Sequence, residues 1–285
     1  MDFAQDDLMT LSYPQRQLIV VESDEAVEVV RGEPAEDAES NWAMEVGTAA
    51  LGAAGIAGAV ASAAVDLWKA RERADSEELP FLVVTNSQAD SLSFPNGHPR
   101  PNVVYAGDPG VAGDYYPVSS FHRFLFEGKV AEALRLLRSL GATEIAIEYL
   151  EGFNRGAGVD LSLSAPAGAG VEVGGGVAQT SEASSSAKTT MLLSPTMPAQ
   201  IPKDLIWFSQ ELLWQEVANA RLESGLRAFT IDVNYTEDFG INANLKAKIA
   251  KVGLEAGGTF TEYQHTVWKL SGTFAEQLSP GATSA

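Results

Sequence analysis

Residues 46–65 read VGTAALGAAGIAGAVASAAV, twenty positions without a formal charge and nearly all of them small. As a helix rising about 1.5 Å per residue, the run would measure roughly 30 Å, the thickness of a bilayer's hydrocarbon core. Its composition argues the other way, because Ala and Gly each offer little apolar area. The larger side chains Val46, Leu51, Ile56, Val60 and Val65 point all around a 3.6-residue period, leaving neither one apolar stripe nor a polar face. Gly47, Gly52, Gly55 and Gly58 supply the small-residue spacings that let helices approach closely. Three destinations follow: a buried Ala-rich helix in a core, a segment that meets a membrane, or a low-complexity stretch.

The flanks narrow these choices. Residues 1–40 hold eleven Asp or Glu against Arg16 and Arg31, which is unlike the start of a secretory signal. After the run, Trp68 with Lys69, Arg71 and Arg73 suits a membrane interface and a solvent-facing helical extension equally well. Ser76-Glu77-Glu78-Leu79-Pro80 closes the helix, since proline cannot continue an interior turn.

With 38 acidic and 19 basic residues in 285, the formal net charge is −19, which disfavours nucleic acid as a partner. Lys246, Lys248 and Lys251 form the one mild basic group, a candidate contact for anionic headgroups. The absence of cysteine excludes disulfides, thiolate metal sites and cysteine nucleophiles, and agrees with a cytoplasmic setting, with membrane association as an option. His98, His122 and His265 lie far apart and match no metal-binding spacing.

Downstream, Leu18-Ile19-Val20-Val21 reads as an edge strand within an acidic flexible arm, residues 1–40, and residues 41–75 as the Ala/Gly-rich helix. Phe81–Val84 and Asn102–Tyr105 read as strands. Residues 121–140 read as an amphipathic helix ended by Gly141, and Thr143–Leu150 as a strand with Ile145, Ile147 and Tyr149 on one face. Residues 156–190 hold a Gly/Ser-rich hairpin and loop. Pro202-Lys203-Asp204 opens a second helix whose Leu205, Ile206, Trp207, Phe208, Leu212 and Leu213 give an unusually wide apolar surface, suited either to a core between two layers or to a partner. Phe229–Tyr235 alternates as a strand, and residues 239–274 read as a long amphipathic hairpin, against a competing helix in which Leu245, Ile249 and Val252 share a face. The expected architecture is α+β: a mainly antiparallel twisted sheet with two amphipathic helices and a small-residue N-terminal helix, the domain spanning 79–275 and residues 276–285 forming a flexible tail.

No phosphate-loop, nucleophile-elbow or calcium-loop spacing occurs, and Gly168–Gly174 lacks the helix that a dinucleotide fingerprint requires. No cofactor or metal is implied. Gly107-Asp108-Pro109-Gly110 with Asp114 is better explained by a turn than by a cation site. The leading expectation is a non-enzymatic effector that oligomerises and engages or permeabilises a membrane. It would use Gly47, Gly52, Gly55, Gly58, Trp68, Lys246, Lys248 and Lys251, with a second copy, a protein partner or a lipid membrane as its target. The alternatives are an α+β protein-interaction module or assembly subunit, and a hydrolase whose site joins distant residues such as Glu148 or Asp232 with His265.

Overall fold

The computed structural model describes residues 8–31, 56–151, 188–260 and 266–276. They form a mixed α+β fold with two mostly antiparallel four-stranded sheets. The chain divides into two compact units, Met1–Leu125 with Asp238–Tyr263, and Phe126–Glu237 with Gln264–Ala285. In chain order the elements are α1 (Tyr13–Arg16), β1 (Leu18–Glu22), α2 (Asp24–Arg31), α3 (Ile56–Ser76), β2 (Leu82–Thr85), α4 (Asn86–Ala89), β3 (Val104–Gly107) and β4 (Tyr115–Pro117). There follow α5 (Phe121–Ser139), β5 (Ala142–Glu151), β6 (Lys188–Leu192), α6 (Leu212–Ser224), β7 (Ala228–Tyr235), α7 (Ala243–Lys251) and β8 (Thr266–Phe274). The division between units falls within α5.

The first unit is built on a sheet of order β2-β1-β3-β4, in which β1 runs parallel to β2 and antiparallel to β3. The edge position expected for Leu18–Val21 is corrected: β1 lies inside the sheet, and all five of its residues are buried. An unbroken apolar run suits a strand covered on both faces, whereas a one-sided edge strand needs only alternate apolar positions. Ile19 and Val21 pack with Val84, Val103, Tyr105 and Tyr115 in one cluster, where Phe94 meets the Tyr105 ring edge-on at 5.1 Å.

In α3, Ala64, Leu67, Ala70 and Ala74 form a buried stripe while Asp66, Lys69, Arg71, Glu72 and Arg73 face solvent. This part of the helix is therefore one-sided, and α2 packs against it. It ends where the sequence places its stop: Leu79 N–H reaches back to Ala74 O at 3.0 Å, with Glu78 left-handed at φ 51° and Pro80 following. Residues 46–55, the first half of the uncharged run, lie outside the described residues.

The long hairpin expected over 239–274 is not formed. Asn242 caps α7, its side-chain oxygen accepting the amides of Asn244 and Leu245 at 3.1 and 3.2 Å, and Ile249 and Val252 are buried. The helical alternative prevails because the cap satisfies two of the open amides at the helix start, and spacings of three and four bury one face.

In the second unit the sheet order is β6-β5-β8-β7, antiparallel throughout. Ile145, Ile147, Phe229, Ile231, Val233, Trp268 and Leu270 form its buried face. Phe126 of α5 lies edge-on to Trp268 at 5.3 Å and to Tyr235 at 6.2 Å. Arg221 of α6, 3 % exposed, donates to Leu140 O, Leu226 O and Ala275 O at 3.0, 3.0 and 2.7 Å, tying together the ends of α5, α6 and β8. The β5 and β8 backbones approach so closely at Gly272 that a Cβ there would stand 1.8 Å from Glu144 O. Residues 202–211, expected to open a helix at Pro202, are irregular, and α6 begins only at Leu212.

Candidate functional site

The irregular segment before α6 is held by two buried charged side chains of α5. Three residues apart on one helix face, Lys129 and Glu132 are 7 % and 8 % exposed. The Glu132 carboxylate accepts three consecutive amides, Ile206 at 2.7 Å through Oε2, and Trp207 and Phe208 at 2.7 and 2.9 Å through Oε1. The Lys129 ammonium donates to Asn234 O at 2.7 Å, pairs with Glu211 at 2.5 Å, and lies 5.1 Å from the centre of the Trp207 ring. Gln215 Nε2 donates to Phe208 O and Ser209 O, and Arg135 to Asp204 O. Successive amides aimed at one carboxylate make a small anion nest, so the early helix predicted from Pro202 gives way to a loop wrapped around Glu132.

Desolvating an ammonium and a carboxylate costs several kcal/mol each, and only well-formed partners offset it. Here those partners fix a loop that turns apolar side chains outward. Leu212 is 74 % exposed, Leu213 64 % and Ile206 38 %, while Trp214 and Ala218 on the inner side of α6 are buried. Leu205, Trp207 and Phe208 are half-buried beside them. The breadth of apolar residues over 205–213 was the part legible in the sequence; Lys129 and Glu132 looked like ordinary polar positions of an amphipathic helix, and nothing local marks a residue that will serve a loop over seventy positions away.

Of the residues singled out from sequence, Gly47, Gly52 and Gly55 lie outside the described residues, Gly58 lies in α3, and Trp68 is half-buried on α3. Lys248 Nζ donates to Glu78 O at 3.2 Å and Lys251 pairs with Glu77 at 2.9 Å, so both bind the C-terminal end of α3, where cations are favoured. Lys246 lies over the Phe260 ring at 5.3 Å. The three lysines are thereby engaged within the first unit. Glu148 and Asp232 stand on either side of Lys269 in the sheet register, while His265 lies outside the described residues.

The other two histidines serve the fold: His98 Nδ1 meets Tyr105 OH at 2.7 Å, and buried His122 donates through Nε2 to Ile241 O at 2.6 Å. Asp108 Oδ1 accepts the amides of Gly110 and Val111, the turn role expected for that loop, and burial raises its pKa from the ordinary aspartate value. A cleft of about 250 Å³ in the first unit is lined by Pro14, Leu18, Leu79, Ile241 and Leu245 together with Gln17, Asn242 and Lys248. Glu78 and Asn244 also line it, and the side chains of Gln17, Asn242 and Lys248 are satisfied from within, by Phe239 O, the α7 amides and Glu78 O. Among the described residues, no group of three or more His, Asp or Glu side chains could hold a metal ion.

The expectation of a membrane-engaging, pore-forming effector is corrected. Among the described residues no helix is long and apolar enough to cross a membrane. The amphipathic hairpin of 239–274 that was to supply membrane strands is replaced by α7, with β8 paired to β5 and β7 instead. The second hairpin, 158–177, lies outside the described residues. No protein-family model matches the chain, no curated protein is similar to it, and no solved structure resembles it to a significant degree.

Proposed function

We propose that the chain is a non-enzymatic protein-interaction module, and that the loop and helix start over residues 205–213 form its docking face. One observation carries the reading: two buried charges, Lys129 and Glu132, are committed to holding a segment whose Ile206, Leu212 and Leu213 are turned to solvent. A loop fixed only for stability would direct its large apolar side chains inward, where each is worth about 1.5–3 kcal/mol. A rigid, aromatic-flanked apolar face is what a partner's amphipathic helix requires. The lack of cysteine fits a cytoplasmic setting for this module.

Selection of a displayed peptide library against the full chain tests the reading. Recovered peptides should carry apolar residues at helical spacing. Their affinity should fall by more than about tenfold for the Leu212→Ser/Leu213→Ser variant, equivalent to about 1.4 kcal/mol, with the fold intact. Peptides that bind both proteins equally, or no enrichment over an unrelated acidic protein, would remove the docking face.

A further inference from the structure

The second unit's sheet has two edges, and they are treated differently. On β7, Phe274 N–H donates to Arg227 O, which in an antiparallel ladder turns the backbone groups of Ala228, Thr230, Asp232 and Asn234 outward. That edge is guarded, since Lys129 occupies Asn234 O and Asp232 adds a charge in mid-strand. On β6, Leu193 N–H donates to Thr143 O, so the amides and carbonyls of Lys188, Thr190 and Leu192 face away from β5. Among the described residues nothing bonds to them. The strand has no proline, its pairing to β5 runs without a register shift, Thr189 and Thr190 are exposed, and Leu192 is 78 % exposed. Two of the devices that blunt an edge strand, proline and a bulge, are missing from this one, and its single charge, Lys188, lies at the first position of the strand and not in its middle.

We propose that the β6 edge pairs antiparallel with the β6 edge of a second copy of the chain, joining two four-stranded sheets into one of eight strands with Thr190 on the two-fold axis. The occupant follows from the pattern of the strand itself. Centring on Thr190 sets Lys188 opposite Leu192 of the second copy and Thr190 opposite its own equivalent, so all three outward-facing residues of each strand find partners. The one charged residue of Lys188–Leu192 then never meets itself, and a Thr–Thr pair at the centre is favourable across strands. Centring on Met191 or Leu192 leaves outward groups of Lys188 unmatched. Self-repulsion opposes this pairing less than it would one through the first unit, since the second unit holds 15 acidic and 9 basic residues against 23 and 10 in the first. This edge is a different surface from the 205–213 face and does not depend on the reading of that face.

The chain has no cysteine, so each substitution introduces the only thiol. A hydrogen-bonded antiparallel pair spaces its Cα atoms about 5.5 Å apart, within disulfide range. Under mild oxidation of the full chain, Thr190→Cys should form a covalent dimer of twice the 30.2 kDa monomer, while Met191→Cys and Leu192→Cys should not. Sedimentation velocity from about 1 to about 100 µM, a range that brackets a micromolar interface, should show a dimer for the natural chain. Thr190→Lys, at an exposed position that faces its own copy across the axis, should weaken the dimer at least tenfold, with an unchanged circular dichroism spectrum. Leu212→Ser/Leu213→Ser should leave it intact. A monomer throughout that range overturns the proposal, as does a dimer that crosslinks through residue 191 or 192 instead of 190. So does a dimer lost on substituting Leu212 and Leu213, or a Thr190→Cys thiol shielded from alkylation in a monomer, which would name a segment of the same chain as the occupant.

Discussion

Replacing Glu132 by Gln removes one of the two carboxylate oxygens that hold residues 206–208. In the natural chain Oε2 takes the Ile206 amide at 2.7 Å and Oε1 takes Trp207 and Phe208 at 2.7 and 2.9 Å. Glutamine keeps one oxygen, so one amide loses its acceptor and faces an NH2 group, while the remaining two bonds lose their charge assistance. An unsatisfied buried donor costs about 1–3 kcal/mol, and hydrogen bonds to a charged group are worth up to about 3 kcal/mol against about 1 for neutral ones. The sum is about 3 kcal/mol, with an upper limit set by the loop's freedom to leave α5 and turn its amides to water. The assay is hydrogen exchange resolved by residue under native conditions. Exchange at Ile206, Trp207 and Phe208 should accelerate roughly 100-fold, since 1.4 kcal/mol corresponds to a factor of ten, while β5 and β8 amides change little. Acceleration below about threefold at all three amides would refute the claim that Glu132 organises the loop, and with it the physical basis of the docking face.

Two further outcomes follow from the packing. Gly272→Ala places a Cβ 1.8 Å from Glu144 O and 2.9 Å from the Phe229 ring, so β5 and β8 must separate; urea denaturation should show a loss of at least about 3 kcal/mol, and near-natural stability would show that the strands yield freely. Burial lowers the pKa of His122, so below the unfolded value of about 6.5 the unfolded chain takes up a proton before the native one does, and stability is lost as pH falls from there toward the folded pKa. His122→Gln should flatten that part of the stability curve, and an unchanged slope across the same window would assign the loss to other groups.

Much of the secondary structure was legible because its determinants are local. The helix of α5 with its Gly141 stop, the alternation of β5 and β7, and the α3 stop at Glu78–Pro80 rest on periodicity and on residues that fix a backbone angle. Residues 241–252 were ambiguous because Leu245, Ile249 and Val252 satisfy the helical period while Ile241 through Ile249 also alternate; the Asn242 cap and the packing of Ile249 decide for helix. The docking face was half legible. Its apolar width over 205–213 is plain in the sequence, but the loop's conformation is set by a carboxylate 74 residues upstream of Ile206, and no window on the chain contains both.

The sequence by itself determined the helix of α5 with its stop, the alternating strands β5 and β7, the end of α3, and that cysteine chemistry is excluded, because periodicity, stop signals and composition are properties of a chain before it folds. Only the tertiary structure decided that β1 is interior, that Lys248 and Lys251 bind the end of α3, that Leu212 and Leu213 face outward, and that among the described residues β6 is an edge strand of its sheet. Burial, ion pairing and strand order each depend on which distant segments share a neighbourhood. In this chain a lysine is a headgroup contact or a helix tie, and a leucine is core or docking face, according to neighbours that periodicity does not name.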